Sequence, residues 1–217
     1  MSFLRSTIVR ARLGFGVAPL SERWGADRGQ PIHRRYIEQF LGRHQLDVRG
    51  RCLEFNDRRY TDQFSGGRAT TIDVIHIDDQ NPEATIVADL TKPNDLADGA
   101  FDTIICSHVL HIVFDLGAIV REMHRILAPG GTLLVAVPAI SMAGPEYPEL
   151  WRFTPLGLRR TLELAFPSEA VEVVAFGSSL TAAAEIRGVV AEELREAELD
   201  QHDHRFAVEV CAKVRRG

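Results

Sequence analysis

The strongest constraint on this chain is a change of hydrophobic period at Gly50. Before it, Ile32, Tyr36, Ile37, Phe40 and Leu41 share one helical stripe, with Pro31 placed as a first helical residue. After it, short apolar runs alternate with helical patterns. The runs are "RCLEF" (51–55), "TTIDVIHI" (70–77), "ATIVADL" (84–90), "FDTIICS" (101–107), "GTLLVAVP" (131–138), "VEVVAFG" (171–177) and "RFAVEVCAKV" (205–214). The middle runs are apolar on both faces, as strands of a helix-covered parallel sheet must be. Between the fourth and fifth, Ile119, Met123, Ile126 and Leu127 are spaced as a helix that stops at Pro129, Gly130 and Gly131. A further helix is predicted over 154–166, with Thr154 as N-cap and Pro155 at its first position. This order predicts an α/β, doubly wound, Rossmann-like sheet with helices on both faces. Ligands of such sheets bind beyond the carboxyl ends of the strands.

The 217 residues suit one domain. A net charge of −5 lacks the basic excess that general nucleic-acid binding requires. Residues 1–60 are nonetheless rich in arginine, as a solvated helical surface or a site for an anionic group. Cys52, Cys106 and Cys211 lie in separate apolar runs and read as buried, reduced core residues of a cytoplasmic protein. No stretch approaches the roughly 18 apolar residues of a membrane span.

Acids recur near the predicted strand ends. Glu54 lies in the first run, Asp73 nineteen positions later in the second, Asp89 closes the third, and Asp102 opens the fourth. A carboxylate about twenty residues after the first turn is where ribose hydroxyls are held in dinucleotide-type folds. An acid inside a strand is poorly placed unless it is ligand-bound, capped or at an edge.

Glu54, Asp73, "ADL" (88–90), "FDTIICSHVLHIV" (101–113) and "HRILAPGGTLLVAVP" (124–138) together resemble the motif series of class I S-adenosylmethionine-dependent methyltransferases. The resemblance covers about residues 50–140. More loosely, 27–41 and 151–160 resemble a bacterial subgroup often met near glycan and natural-product genes. The resemblance implies a seven-stranded sheet of order 3-2-1-4-5-7-6 with the last strand antiparallel. It implies one domain over 1–217: a helical cap (1–49), a cofactor-binding core (50–140), then a lid and the C-terminal strands (141–217). It also implies S-adenosylmethionine as cofactor. Glu54, Asn56 and Asp57 would hold its methionine end, and Asp73 the ribose. Val74 would pack on the adenine, Asp89 would accept from its amino group with Leu90 beside it, and Cys106 and Ser107 would line the sulfonium.

The chain departs from that family at the turn after the first strand, where glycines are usual. Asn56 occupies the first glycine position, and Asn tolerates positive φ, so a modified turn can still form. The stretch "DDQNPE" after the second run leaves no room for an intervening helix.

Methyl transfer needs an aligned nucleophile and, for a hydroxyl acceptor, usually a base. His108 is the first residue past the fourth run, and His111 follows one helical turn later. Either could instead be a structural histidine. Tyr36, Tyr147, Trp151 and Arg152 are candidates to hold a small-molecule acceptor, with Trp24, Arg28, His33 and Arg34 nearby in the cap. Local packing of Trp151 and pairing of Arg152 with an acid is the competing account. His202, Asp203 and His204 lack further ligands, so no metal site is expected. The expected activity is O-methylation of a sugar or natural-product hydroxyl or carboxylate, with no nucleic-acid or membrane partner and with self-association left open. N-methylation of an amine, or a non-catalytic methyltransferase-like subunit, are the rivals.

Overall fold

The computed structural model describes residues 16–144 and 148–217. Seven strands form one sheet of order β3-β2-β1-β4-β5-β7-β6. They are β1 (Gly50–Phe55), β2 (Ala69–His76), β3 (Ile86–Val87), β4 (Phe101–Ser107), β5 (Leu127–Pro138), β6 (Val171–Phe176) and β7 (Glu209–Arg215). Strands β1 to β5 pair in parallel, and β7 runs antiparallel to both β5 and β6. The expected topology and antiparallel last strand are therefore observed.

Helices cover both faces. On one, α3 (Leu116–Ile126) and α4 (Pro155–Leu162) bury Ile119, Met123, Leu158 and Leu162 against Leu53, Ile104, Cys106 and Val135. On the other, α1 (Ile32–Arg43), α2 (Arg59–Phe64), α5 (Ser179–Arg187) and α6 (Glu196–Leu199) contribute Tyr36, Phe40, Tyr60, Ala182 and Leu199 against Cys52, Ile105, Leu134 and Cys211. Neighbouring strand residues thus face opposite helix layers, which is why these runs show no polar alternation.

Local signals set several boundaries. Asp115 caps α3 by accepting from Ala118 N, and Thr154 caps α4 by accepting from Gly157 N. Helix α1 starts at Ile32, with Pro31 as its N-cap residue rather than its first turn. Three expectations change. The third run forms only the two-residue β3 at the sheet edge. Pro129 and Gly130 lie inside β5 rather than ahead of it, because β5 already pairs with Phe101 through Leu127 before the register shifts. Gly130 takes φ +74° and donates to Arg216 O, so the breaker residues make an irregularity in the strand. The first-turn region 16–31 is built of turns, not helix. As expected, all three cysteines are free and buried. Among the described residues no helix is long and apolar enough to cross a membrane.

Candidate functional site

A cavity of about 490 Å³ opens at the carboxyl ends of β1, β2, β3 and β4. Its first wall is the turn after β1. Asn56 takes φ +71° there, the conformation expected of a glycine substitute. Its N–H donates to Ile75 O at 3.1 Å, and its carbonyl accepts from Asn81 Nδ2, which ties the turn to the loop after β2. The buried Glu54 carboxylate accepts from the backbone N–H groups of Tyr60 (3.0 Å) and Thr61 (2.7 Å), closing the first turn of α2. Burial pushes the Glu54 carboxyl up to about 7, although those two amides favour the anion. Asp57 accepts from Arg59 N at 2.9 Å.

The second wall comes from the β2 and β3 ends: Ile75, His76, Ile77, Ala88, Asp89, Leu90 and Thr91. Asp89 accepts from Thr91 N (2.9 Å) and Thr91 Oγ1 (2.6 Å) and pairs with Lys92 (3.1 Å). The Thr91 hydroxyl bond is the main reason its carboxyl stays below the usual range.

The third wall is the β4 end, where three imidazoles gather. His108 has φ +52° and is held through its N–H to Ala136 O at 2.9 Å. Its Nε2 lies 3.1 Å from both oxygens of Glu209, a fully buried carboxylate at the start of β7. Burial works against charge on His108, but Glu209 overcomes it and raises the imidazole above its ordinary value. His33, from α1, stacks on His108 with centroids 5.2 Å apart and holds Glu185 of α5 through Nδ1 at 2.7 Å. His111 meets His108 edge-on at 5.5 Å. It is buried, its Nδ1 has no hydrogen-bond partner among the described residues, and burial first, then the neighbouring His108, pushes it down to about 4.

The cavity thus brings together Glu54, Asn56, Asp57, Asp89, Leu90, Ser107, His108 and His111 of the expected residues. Others stand elsewhere. Asp73 and Val74 do not line it, because β2 continues to His76, and Asp73 sits mid-strand opposite Leu53. There Asp73 is occupied by Arg51 Nε (2.8 Å) and Thr85 Oγ1 (3.0 Å). The polar group at the β2 end is His76, paired with Asp78 at 3.0 Å. Cys106 points into the core on the α3 face, where burial pushes its thiol up to about 12. Tyr36 is buried against Phe176, its hydroxyl donating to Leu199 O at 3.1 Å. Trp151 donates through Nε1 to Val113 O at 2.8 Å and Arg152 pairs with Glu149, so both make local contacts and neither lines the cavity. Tyr147 lies outside the described residues. In the cap, Trp24 donates to Met142 O at 3.0 Å and Arg28 pairs with Glu193.

Sequence reasoning missed Glu185, Glu209 and His76. Only Glu209 carried a signal, as a lone acid in the apolar run "FAVEVCAKV". Among the described residues no group of His, Cys, Asp and Glu is arranged to hold a metal; His202 packs edge-on against Phe176 and Asp203 pairs with Arg205.

A sheet of this order is a Rossmann-like α/β fold, and polar groups collect at the β1, β3 and β4 ends, where ligands of such sheets bind. Residues 61–135 match the family described as a methyltransferase domain. An uncharacterised protein of Escherichia coli, YafE, is 40% identical over 67 residues, 30% of either chain. The matched stretches thus span less than a third of the curated relatives' own lengths. Among solved structures, a SAM-dependent methyltransferase from Archaeoglobus fulgidus aligns over 84% of this chain and 94% of its own, at TM-score 0.56 and 14% identity. The Burkholderia thailandensis 1,6-didemethyltoxoflavin-N1-methyltransferase, solved with its substrate and S-adenosylhomocysteine, aligns over 99% and 86%, at TM-score 0.53 and 15% identity. At those identities the structures speak to the fold alone. About a third of the chain thus matches a methyltransferase domain, and the whole sheet has the fold of the methyltransferase structures it resembles.

Proposed function

We propose that this protein binds S-adenosylmethionine in the cavity and methylates the hydroxyl group of a small molecule, such as a sugar or natural product. The observation that carries this reading is the division of the cavity wall. Turn amides and carboxylates line the β1 and β3 ends, and a histidine cluster lines the β4 end.

The residues present fit the cofactor. Asn56 supplies the left-handed turn that lets backbone approach a ligand, and it does so without glycine. Glu54 and Asp57 stand at the same end to receive an ammonium group. An ammonium beside Glu54 would favour its anion and offset the burial that raises it. Arg34 also lines this region and makes no ion pair among the described residues, so it is the natural partner for a carboxylate. His76 replaces Asp73 as the group at the ribose edge, and Asp89 and Leu90 receive the adenine.

When bound, the cofactor supplies a sulfonium methyl group, which passes to a nucleophile while the carbon–sulfur electron pair stays on sulfur. The chain's own residues orient the acceptor and take its proton. His108 is the base, and neutral His111 beside it offers a hydrogen bond to the acceptor. The segment 148–151 docks on the same turn: Leu150 N and Trp151 N both donate to His111 O, and Pro148 lines the cavity.

The test is calorimetry with S-adenosylhomocysteine, followed by methyl transfer from labelled S-adenosylmethionine to a panel of hydroxyl, carboxylate and amine acceptors. Saturable binding with methylation of hydroxyl acceptors is expected. Binding with transfer only to amines would replace O- by N-methylation. Absence of binding into the millimolar range would favour a non-catalytic subunit.

A further inference from the structure

Two carboxylate–imidazole pairs meet face to face at the β4 end of the cavity. In one, Glu209 holds His108 Nε2; in the other, Glu185 holds His33 Nδ1 and also accepts from His33 N at 3.2 Å. Both glutamates are buried, and neither lines the cavity; both histidines do. An isolated buried carboxylate is costly, and one hydrogen-bonded to an imidazole is not. Each pair therefore fixes which ring nitrogen carries the proton. A carboxylate accepts only, so His108 must place its proton on Nε2 and His33 must place its proton on Nδ1. In the neutral rings, the opposite nitrogens, Nδ1 of His108 and Nε2 of His33, are left as bare acceptors. Among the described residues neither has a hydrogen-bond partner.

We propose that Glu209 and Glu185 are positioning residues that hold His108 and His33 in opposite tautomers, so that the two rings present bare acceptor nitrogens to a hydroxyl-bearing acceptor. This rests on the methyltransferase reading and gives the atomic reason why its acceptor is a hydroxyl and not a carboxylate. A hydroxyl offers a proton to a bare nitrogen, whereas a carboxylate would meet two lone pairs. The acceptor proton passes to His108 Nδ1, and the resulting imidazolium keeps its Nε2–H on Glu209. Glu209 is then the charge that stabilises the protonated ring. The strained backbone of His108, at φ +52°, fits a residue held by its surroundings for a task. The groups facing the His108 ring are Glu209 from β7, His33 from α1 with Glu185 of α5 behind it, His111 from the following turn, and Glu149 from the segment above.

The experiment is long-range 15N–1H NMR of the full chain labelled at histidine nitrogen, titrated with pH, beside calorimetry with S-adenosylhomocysteine. Above their midpoints, His108 is expected as the Nε2–H tautomer and His33 as the Nδ1–H tautomer. In Glu209→Gln the His108 midpoint should fall by about 1–3 pH units with cofactor-product affinity retained. An Nδ1–H tautomer for His108 in the native chain would overturn the proposal, and that measurement needs no variant to fold. So would an unchanged midpoint in Glu209→Gln. Native tautomers as expected with no heat on adding S-adenosylhomocysteine would instead remove the methyltransferase reading, so the two failures are distinguishable.

Discussion

At the β1 and β3 ends, the carboxylates that line the cavity find their partners close by in the chain. Glu54 reaches Tyr60 and Thr61, Asp57 reaches Arg59, and Asp89 reaches Thr91 and Lys92, none more than seven residues away. At the β4 end, His108 finds Glu209 across 101 residues and His33 finds Glu185 across 152. The first half is a set of local turns on strand ends. The second exists only when the cap, β4, β7 and α5 are packed together. A local turn keeps its geometry whenever its strand forms, while a long-range pair depends on several elements being seated at once. The half proposed to hold the cofactor should therefore tolerate conservative change, and the histidine half should not.

The largest expected effect falls on the histidine half. His108→Ala should lower kcat by about 10²–10⁴ while leaving S-adenosylhomocysteine affinity nearly unchanged, measured by steady-state kinetics and calorimetry. Loss of affinity together with rate would break the division between halves. The cofactor half gives the next largest. Asp89→Ala should weaken S-adenosylhomocysteine binding about tenfold, the worth of a charge-assisted hydrogen bond of about 1.5 kcal/mol. Asp73→Ala, away from the cavity, should leave that affinity unchanged and cost only the Arg51 pair and the Thr85 hydrogen bond. A reversal of those two results would return Asp73 to the site.

The turn after β1 offers a sharper comparison. Asn56→Gly should keep stability and binding, because glycine takes φ +71° freely. Asn56→Val should cost about 1–2 kcal/mol in urea unfolding, because a β-branched residue is strained there. Equal stability of the two variants would mean that the turn does not hold that conformation in solution.

In the pH dependence of stability the two halves oppose each other. Folded Glu54 keeps a proton up to about 7 that the unfolded chain loses near 4.5, so its contribution falls as pH rises through that window. Folded His111 refuses a proton until about 4 that the unfolded chain takes near 6.5, so its contribution rises with pH across nearly the same window. Relative to the native chain, Glu54→Gln should make stability climb more steeply between pH 4.5 and 6.5, and His111→Gln should make it climb less. Chemical unfolding at several pH values checks both signs.

What was legible in the sequence follows the same line. The seven apolar runs, the Thr154 cap, the missing helix after β2 and the left-handed Asn56 turn all rest on short-range rules, and all appear in the structure. Asp73 lies outside the cavity: spacing alone counts residues from Glu54 and does not say where a strand stops. Pairing with β1 and β3 carries β2 three residues further, to His76. Trp151 and Arg152, an aromatic next to an arginine, look like a binding pair in the sequence and lie outside the cavity in the fold. Their polar atoms are instead taken by Val113 O and by Glu149.

By itself the sequence determined the sheet, its order by resemblance, and the turn chemistry of the cofactor half. Hydrophobic period, turn residues and caps act over a few residues and leave their mark in the local string. Only the tertiary structure decided which acids are buried against which histidines. Glu185 looks like an ordinary helix residue, and Glu209 is only a lone acid in an apolar run, until the fold removes both from water. At that point burial makes an unpaired carboxylate costly, and the partner that satisfies it, His33 or His108, lies more than a hundred residues away along the chain.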